Sequence, residues 1–212
     1  MGTKERRERE RQELKGKILE AARELFAEHG YEAVTMRQIA ERIEYSPTAI
    51  YLHFKDKRAV FNELCSADFL ALAQEFRGIA AIPDPIERLR AVGAAYVRFG
   101  LAYPHHYRLM FMTTHPEGHE DETDLEKGNP DQDAYAFLRG LVSSAMAAGR
   151  LRPELTDPEL VAQMMWGAVH GIVAIHITKG HDTWVDWRSA EDTAQLACDV
   201  LMRGIARDGE GG

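Results

Sequence analysis

The residues best suited to chemistry on a partner lie between Ser46 and Lys57, SPTAIYLHFKDK, and the chemistry they suit is recognition, not bond breaking. Ser46 is a favoured N-cap and Pro47 fits the first helical position, where its missing N–H is not needed, so a short helix is expected to start at Pro47. At about 100° per residue, Ile50 and Phe54 share an inward face, while Thr48, Ala49 and Leu52 point outward with Tyr51 and His53 on the flanks. The outward face is small, hydroxyl-bearing and apolar, and it carries no acid. Such a face complements thymine methyls and base edges in a DNA groove, and Tyr51, Lys55 and Lys57 stand where phosphates would be met.

A short helix can present such a face only if something braces it from behind. The preceding TMRQIAERIEYS supplies the brace: Thr35 as N-cap, Gln38 as its capping-box partner, and an apolar stripe of Met36, Ile39, Ala40 and Ile43. Two short helices joined by a tight turn, the second facing outward, form a helix-turn-helix. On the pattern alone an αα-hairpin that touches no nucleic acid is an equal reading.

The string GYEAVTMRQIAERIEYSPTAIYLHFKDK, residues 30 to 57, resembles the N-terminal domain of the tetracycline-repressor (TetR) family in its Thr, its I-A pair, its Ser turn and its Y-x-H-F-x-x-K end. The resemblance implies a one-component transcription regulator, most often a repressor, that binds a palindromic operator in double-stranded DNA as a homodimer and is released by a small apolar or amphipathic effector. It places Thr35, Arg37, Thr48, Ala49, Tyr51, Leu52, His53 and Lys57 at the DNA. Arg37 would reach a base edge and Leu52 a thymine methyl, while Thr35, Tyr51, His53 and Lys57 would hold phosphates. One position departs from the family: Glu44 stands where Gly is usual, and it must tolerate a backbone geometry that Gly adopts freely.

Composition sets the wider frame. The chain has 212 residues, 45% of them hydrophobic, enough to bury a sizeable core in one or two domains. Its net charge of −8 argues at first against nucleic acid, but residues 1–58 hold 13 Lys plus Arg against 11 Asp plus Glu, leaving 13 against 23 for the rest. A slightly basic front on an acidic body suits a DNA module, since phosphate contacts supply much of the affinity. Residues 3 to 11, with five basic residues and three Glu, read as a solvated, frayed arm, with contact to DNA as the other reading. Cys65 and Cys198 form no C-x-x-C, so neither a disulfide framework nor a zinc site is indicated and a reduced cytoplasm is expected. The charged N-terminus is no signal peptide, and Gln163, His170 and His176 interrupt the most apolar stretch, so no membrane span is expected.

Beyond Lys57 the periodicity is helical throughout, and an all-α protein of about nine helices is expected, with residues 1–57 as the DNA-binding domain and 58–212 as a larger effector-binding and dimerisation domain. The expected body helices run from Lys57 to about Ile79, from Pro85 to about Tyr103, over PHHYRLMF, from about Pro130 to Ala148, from a Thr156 cap through TDPELVAQMMWGAVHGIVAIHITKG, and from a Ser189 cap to near the end. His115 to Gly128 reads as an acidic loop. The helix leaving Lys57 joins the two parts without a flexible linker, a connection able to carry movement.

Within the body, the run FGLAYPHHYRLMFM is either ordinary core or, through Tyr103, Tyr107, Met110 and Phe111, the lining of an effector cavity. Trp166, His170 and Gly171 resemble the W-x-x-x-H-G signature of one C-terminal domain type of the family. They are either a core histidine with a glycine allowing close helix approach, or a pocket or dimer-seam element. His115 and His119 have no fixed ligand direction, and no metal or other cofactor is expected. No nucleophile, base and orienter, nor any paired carboxylates, suggest an enzyme. The last two helices, Pro158 to Thr178 and Glu191 to Ala206, are the expected homodimer seam. The rival readings are a sequence-indifferent structural DNA binder without effector and, last, a small helical enzyme or metal-binding protein.

Overall fold

A computed structural model describes residues 2–115 and 125–207. Among these the chain is helical: α1 Thr3–His29, α2 Met36–Arg42, α3 Pro47–Tyr51, α4 Lys57–Glu75, α5 Pro85–Ala102, α6 Pro104–Phe111, α7 Ala134–Ala147, α8 Pro158–Lys179 and α9 Ala190–Ile205, with a 3₁₀ turn at Ile79–Ala81. No strand occurs among the described residues beyond a single bridge between Leu151 and Ala206. The chain divides into two compact units, Met1–Asp68 with His105–Asp124, and Phe69–Pro104 with Leu125–Gly212. The divisions fall inside α4 and inside α6.

In the first unit α1 buries Ile18, Ala21, Ala22, Leu25 and Phe26, the stripe spaced for one helical face. Phe26, Tyr31 and Phe61 meet in a cluster, with Phe26 and Tyr31 each edge-on or tilted to a neighbour at 4.9 to 5.6 Å. Arg23 and Asp68 are buried together: the Arg23 Nη2 donates to Asp68 Oδ1 at 2.9 Å, and His106 Nδ1 lies 2.8 Å from the same oxygen. One carboxylate thus ties α1, α4 and α6 to one another. Beside it, burial pushes the Cys65 thiol far above its usual range, so it is an inert core residue.

In the second unit α5 packs against α7, α8 and α9. Gly93 lets α9 approach, since a Cβ there would meet Cys198 Sγ at 2.9 Å. Trp166 Nε1 donates to the Tyr96 hydroxyl at 2.9 Å, and that oxygen lies 3.3 Å from His170 Nδ1. Arg152 N–H donates to Ile205 C=O and Arg207 N–H to Arg150 C=O, both at 2.9 Å, fastening the end of α9 to the chain after α7.

Five expectations are corrected. Residues 3 to 11 are not frayed: α1 begins at Thr3, with Glu5 accepting from Gly2 N–H at 2.9 Å and Gln12 donating to Glu8 at 2.9 Å one turn on. Glu, Arg and Gln are good helix formers, and pairs spaced four apart support one another. α4 ends at Glu75 and not near Ile79, because the bonds of Phe76 and Arg77 tighten to the i−3 carbonyls before Gly78. α7 starts at Ala134 and not Pro130: Asp133 caps Ala136 N–H at 2.9 Å, while the Asn129 carbonyl closes a turn over Pro130. The α8 cap is Asp157 and not Thr156, because Pro158 occupies the first helical position and the residue before it must be the cap. Gly171 permits no close approach within the chain, since a Cβ there would meet nothing within 4 Å.

Candidate nucleic-acid interface

Local chemistry builds the α2–α3 pair. Thr35 Oγ1 accepts from Gln38 N–H at 3.2 Å while Gln38 Oε1 accepts from Thr35 N–H at 2.7 Å, a reciprocal capping box. Ser46 Oγ accepts from Ala49 N–H at 3.3 Å, and Pro47 opens α3. Between the helices Glu44 takes φ +60°, the left-handed conformation Gly would adopt freely, and among the described residues it is the one non-glycine with positive φ. Tyr45 N–H then reaches back to Ala40 C=O at 3.0 Å, which sets the turn. Glu44 therefore carries a local strain of about 1 kcal/mol that a glycine would relieve.

Ile50 and Phe54 are buried beneath α3, whereas Leu52 is 75% exposed and Thr48 and Tyr51 are exposed with it. Ala49 and His53 are half-buried at the margin. An exposed apolar side chain on the face of such a helix has the chemistry to meet a thymine methyl in a groove of base edges. Burial, then the positive charges of Arg11 and Lys15, lower the His53 pKa, so His53 is a neutral hydrogen-bonding group at neutral pH. Arg37 extends from the first turn of α2 and pairs with Glu41 at 2.8 Å, its side chain 80% exposed. That exposed pair is weak, and the guanidinium is free to exchange Glu41 for a base edge.

Lys57 has partners within its own unit. Its Nζ donates to Tyr31 C=O at 2.7 Å and Glu32 C=O at 3.3 Å, and it lies 4.2 Å from the Tyr31 ring centroid. It braces the α1–α2 loop and presents only a partly satisfied charge outward. Sequence reasoning passed over Lys15 and Lys17 of α1, which lie over the rings of Phe54 at 5.7 Å and Tyr45 at 6.0 Å. The sequence places both on a helix expected from about Arg11, but their ring partners, about 30 to 40 residues on, follow from no local spacing.

The six effector candidates do not fall in one unit. Tyr107 and Met110 are buried in the first, with Phe111 tilted against Tyr107 at 4.9 Å. Tyr103 is exposed in the second, where Trp166 and His170 converge on Tyr96. Burial lowers the His170 pKa and keeps the ring neutral, so its Nδ1 can accept from the Tyr96 hydroxyl as that oxygen accepts from Trp166. His115 Nε2 lies 3.0 Å from Leu109 C=O and its ring faces Phe61, while His119 lies outside the described residues.

α8 and α9 leave a bare face. Leu160 (65% exposed), Met164 and Ile175 of α8, and Leu196 (66%) and Val200 (60%) of α9, are all uncovered. Gly167 and Gly171 fall on the same α8 stripe as Leu160, Met164 and Ile175, with open space before them. α8 is long and apolar enough to cross a membrane by length and composition, with 28% of its apolar window buried in the fold.

Comparison with known proteins agrees with this geometry. The description "bacterial regulatory proteins, tetR family" matches residues 18–64, and "tetracyclin repressor-like, C-terminal domain" matches residues 89–201, more than half of the chain. The chain therefore belongs to the tetR family of bacterial regulatory proteins, which are DNA-binding transcriptional regulators. The HTH-type transcriptional repressor AcnR of Corynebacterium diphtheriae is 46% identical over 57 residues, 27% of this chain and 30% of that protein. The HTH-type transcriptional regulator UidR of Escherichia coli is 35% identical over 83 residues, 39% of each chain. The matched part thus spans well under half the length of either relative. The structure of the fatty acid degradation regulator FadR of Bacillus halodurans shares the fold, with TM-score 0.73 at 19% identity, covering 90% of this chain and 95% of that one.

Proposed function

We propose that this regulator is a repressor that reads a palindromic operator as a homodimer and leaves it when a small apolar or amphipathic molecule binds the body. The observation that carries the reading is α3, a capped helix buried through Ile50 and Phe54 that holds Thr48, Tyr51 and Leu52 out of the core. In this reading residues 1–57 serve DNA and residues 58–212 serve effector and dimer, in a cytoplasmic protein. Arg37, Thr48, Ala49 and Leu52 face bases; Thr35, Tyr51, His53 and Lys57 face phosphates, Lys57 from its seat on the Tyr31 carbonyl.

The bare stripes of α8 and α9 support a four-helix seam between two copies, and Gly167 and Gly171 would let the partner's helix come close. The Tyr96, Trp166 and His170 cluster is the polar end of an effector site in the second unit, with Tyr103 of the same unit as an apolar candidate; Tyr107, Met110 and Phe111 are candidates within the first unit, and α4 carries the response to the head. Selection of bound duplexes from a random-sequence library tests the whole. The expected outcome is an inverted repeat with half-sites one helical turn apart, ~34 Å. Recovery of unselected sequence would favour a structural DNA binder, and no recovery would sink the DNA reading.

A further inference from the structure

The first four turns of α1 lie ahead of residue 18, where the family match begins. At about 100° per residue Lys4, Arg7, Arg11 and Lys15 fall within about 80° of one another. They continue the same stripe as Leu14, Ile18, Ala22 and Leu25, the face that α1 turns into its unit farther along. Glu5, Glu10 and Glu13 fall on the other side, and Glu8, at the margin, is held by Gln12. Lys15 fixes where the stripe points: it lies 5.7 Å from the Phe54 ring centroid, at the end of α3, and pairs with Glu63 at 2.6 Å. The lowered pKa of His53, to which the charges of Arg11 and Lys15 contribute, agrees with that placement. Arg7 and Arg11 are exposed, with no ion pair among the described residues.

We propose that the N-terminal turns of α1 are a second phosphate-binding face, beside the C-terminal end of α3, in which Arg7 and Arg11 each hold a backbone phosphate of the duplex that α3 reads. The proposal rests on the DNA reading above. From Lys4 to Lys15 the helix rises ~16 Å, nearly half a turn of duplex, so the stripe follows a run of phosphates and not one. A membrane surface is a poor fit because residues 3–13 carry no apolar side chain to bury. The face reads no sequence; it adds affinity and salt dependence, and it offsets the acidic body.

The test is a salt titration of the full chain on a random-sequence duplex of about 30 base pairs, comparing wild type, R7Q/R11Q and R6Q/R9Q. Both doubles remove the same charge and keep good helix formers, and Arg6 and Arg9 lie off the stripe, Arg6 paired with Glu10. R7Q/R11Q should lower the slope of log K against log salt by about 1.8 and weaken binding by about tenfold or more at 0.1 M salt, with R6Q/R9Q close to wild type. Equal slopes for R7Q/R11Q and wild type, or equal losses in both doubles, overturn the proposal and leave the α3 reading standing. A wild-type chain that shows no salt-dependent binding at all would instead remove the DNA reading itself.

Discussion

Among the described residues, the uncovered face of α3 and that of α8 and α9 differ in kind. On α3 a five-residue helix holds Thr48, Tyr51 and Leu52 out of the core, with Lys15 over Phe54 just past its end and Lys17 over Tyr45 just before its start. On α8 and α9 two long helices hold out Leu160, Met164, Ile175, Leu196 and Val200 with small residues between them. The first face is too small and too polar at its rim to be closed by hydrophobic burial, but it has the shape and charge of a groove reader. The second is the larger and more apolar, the composition of a surface that pairs with its own copy. If both readings are right, breaking the second must damage the first, because one half-site alone binds poorly.

The largest effect is therefore expected from the second face. Leu196→Glu with Val200→Glu should give monomers in sedimentation and weaken operator binding by about a hundredfold or more, since the second half-site is no longer delivered at high effective concentration. A dimer that survives both changes would move the seam elsewhere. On the other face Arg37→Ala should weaken operator binding by roughly 1–3 kcal/mol and relax preference at one base position per half-site, read by competition among operator variants. A uniform loss across variants would reassign Arg37 to phosphate.

Each unit also has a polar brace, and these sharpen the contrast at smaller cost. Tyr96→Phe removes the hydroxyl that joins Trp166 and His170, and should lower stability by about 1 kcal/mol in urea while leaving the first unit's DNA surface intact. Lys57→Met keeps an apolar stem over Tyr31 and removes the charge; it should cost about 1 kcal/mol of stability through the lost carbonyl bonds. If it also lowers the salt slope by about 1, the same charge reaches a phosphate; an unchanged slope makes Lys57 a brace alone.

The smallest effect is one of pH. The folded pKa of His170 lies below its usual value of 6.5, so between the two the unfolded chain binds more protons than the folded one. The stability is complete above about pH 6.5 and falls as the pH drops below it. Urea midpoints at pH 7.5 and 5.5 should separate more for wild type than for His170→Gln, and equal separations would show that His170 is not the group responsible.

Local chemistry was legible in the sequence. Ser46 with Pro47, Thr35 with Gln38 and Ser189 cap the helices expected of them, because a cap is decided within three or four residues. The demand on Glu44 came from the resemblance, in which Gly is usual at that position, and Glu44 does take φ +60°. The inward pair Ile50 and Phe54 followed from spacing alone. The misplaced Thr156 cap shows the limit even there, since Thr156 and Asp157 are both good caps and only attention to Pro158 separates them.

Tertiary structure decided what depends on distant neighbours. α8 is apolar nearly all round, so its sequence could not say which stripe is covered; packing on α5, α7 and α9 leaves Leu160, Met164 and Ile175 outside. Lys57 has the same charge wherever it points, and only the fold brings the Tyr31 carbonyl, 26 residues away, to its ammonium. The buried Arg23, Asp68 and His106 contact joins residues whose separations in the chain follow no period. Caps and faces are set by short-range geometry that every chain shares, whereas pairing across the fold is set by which surfaces remove the most apolar area from water together, a property of the whole chain.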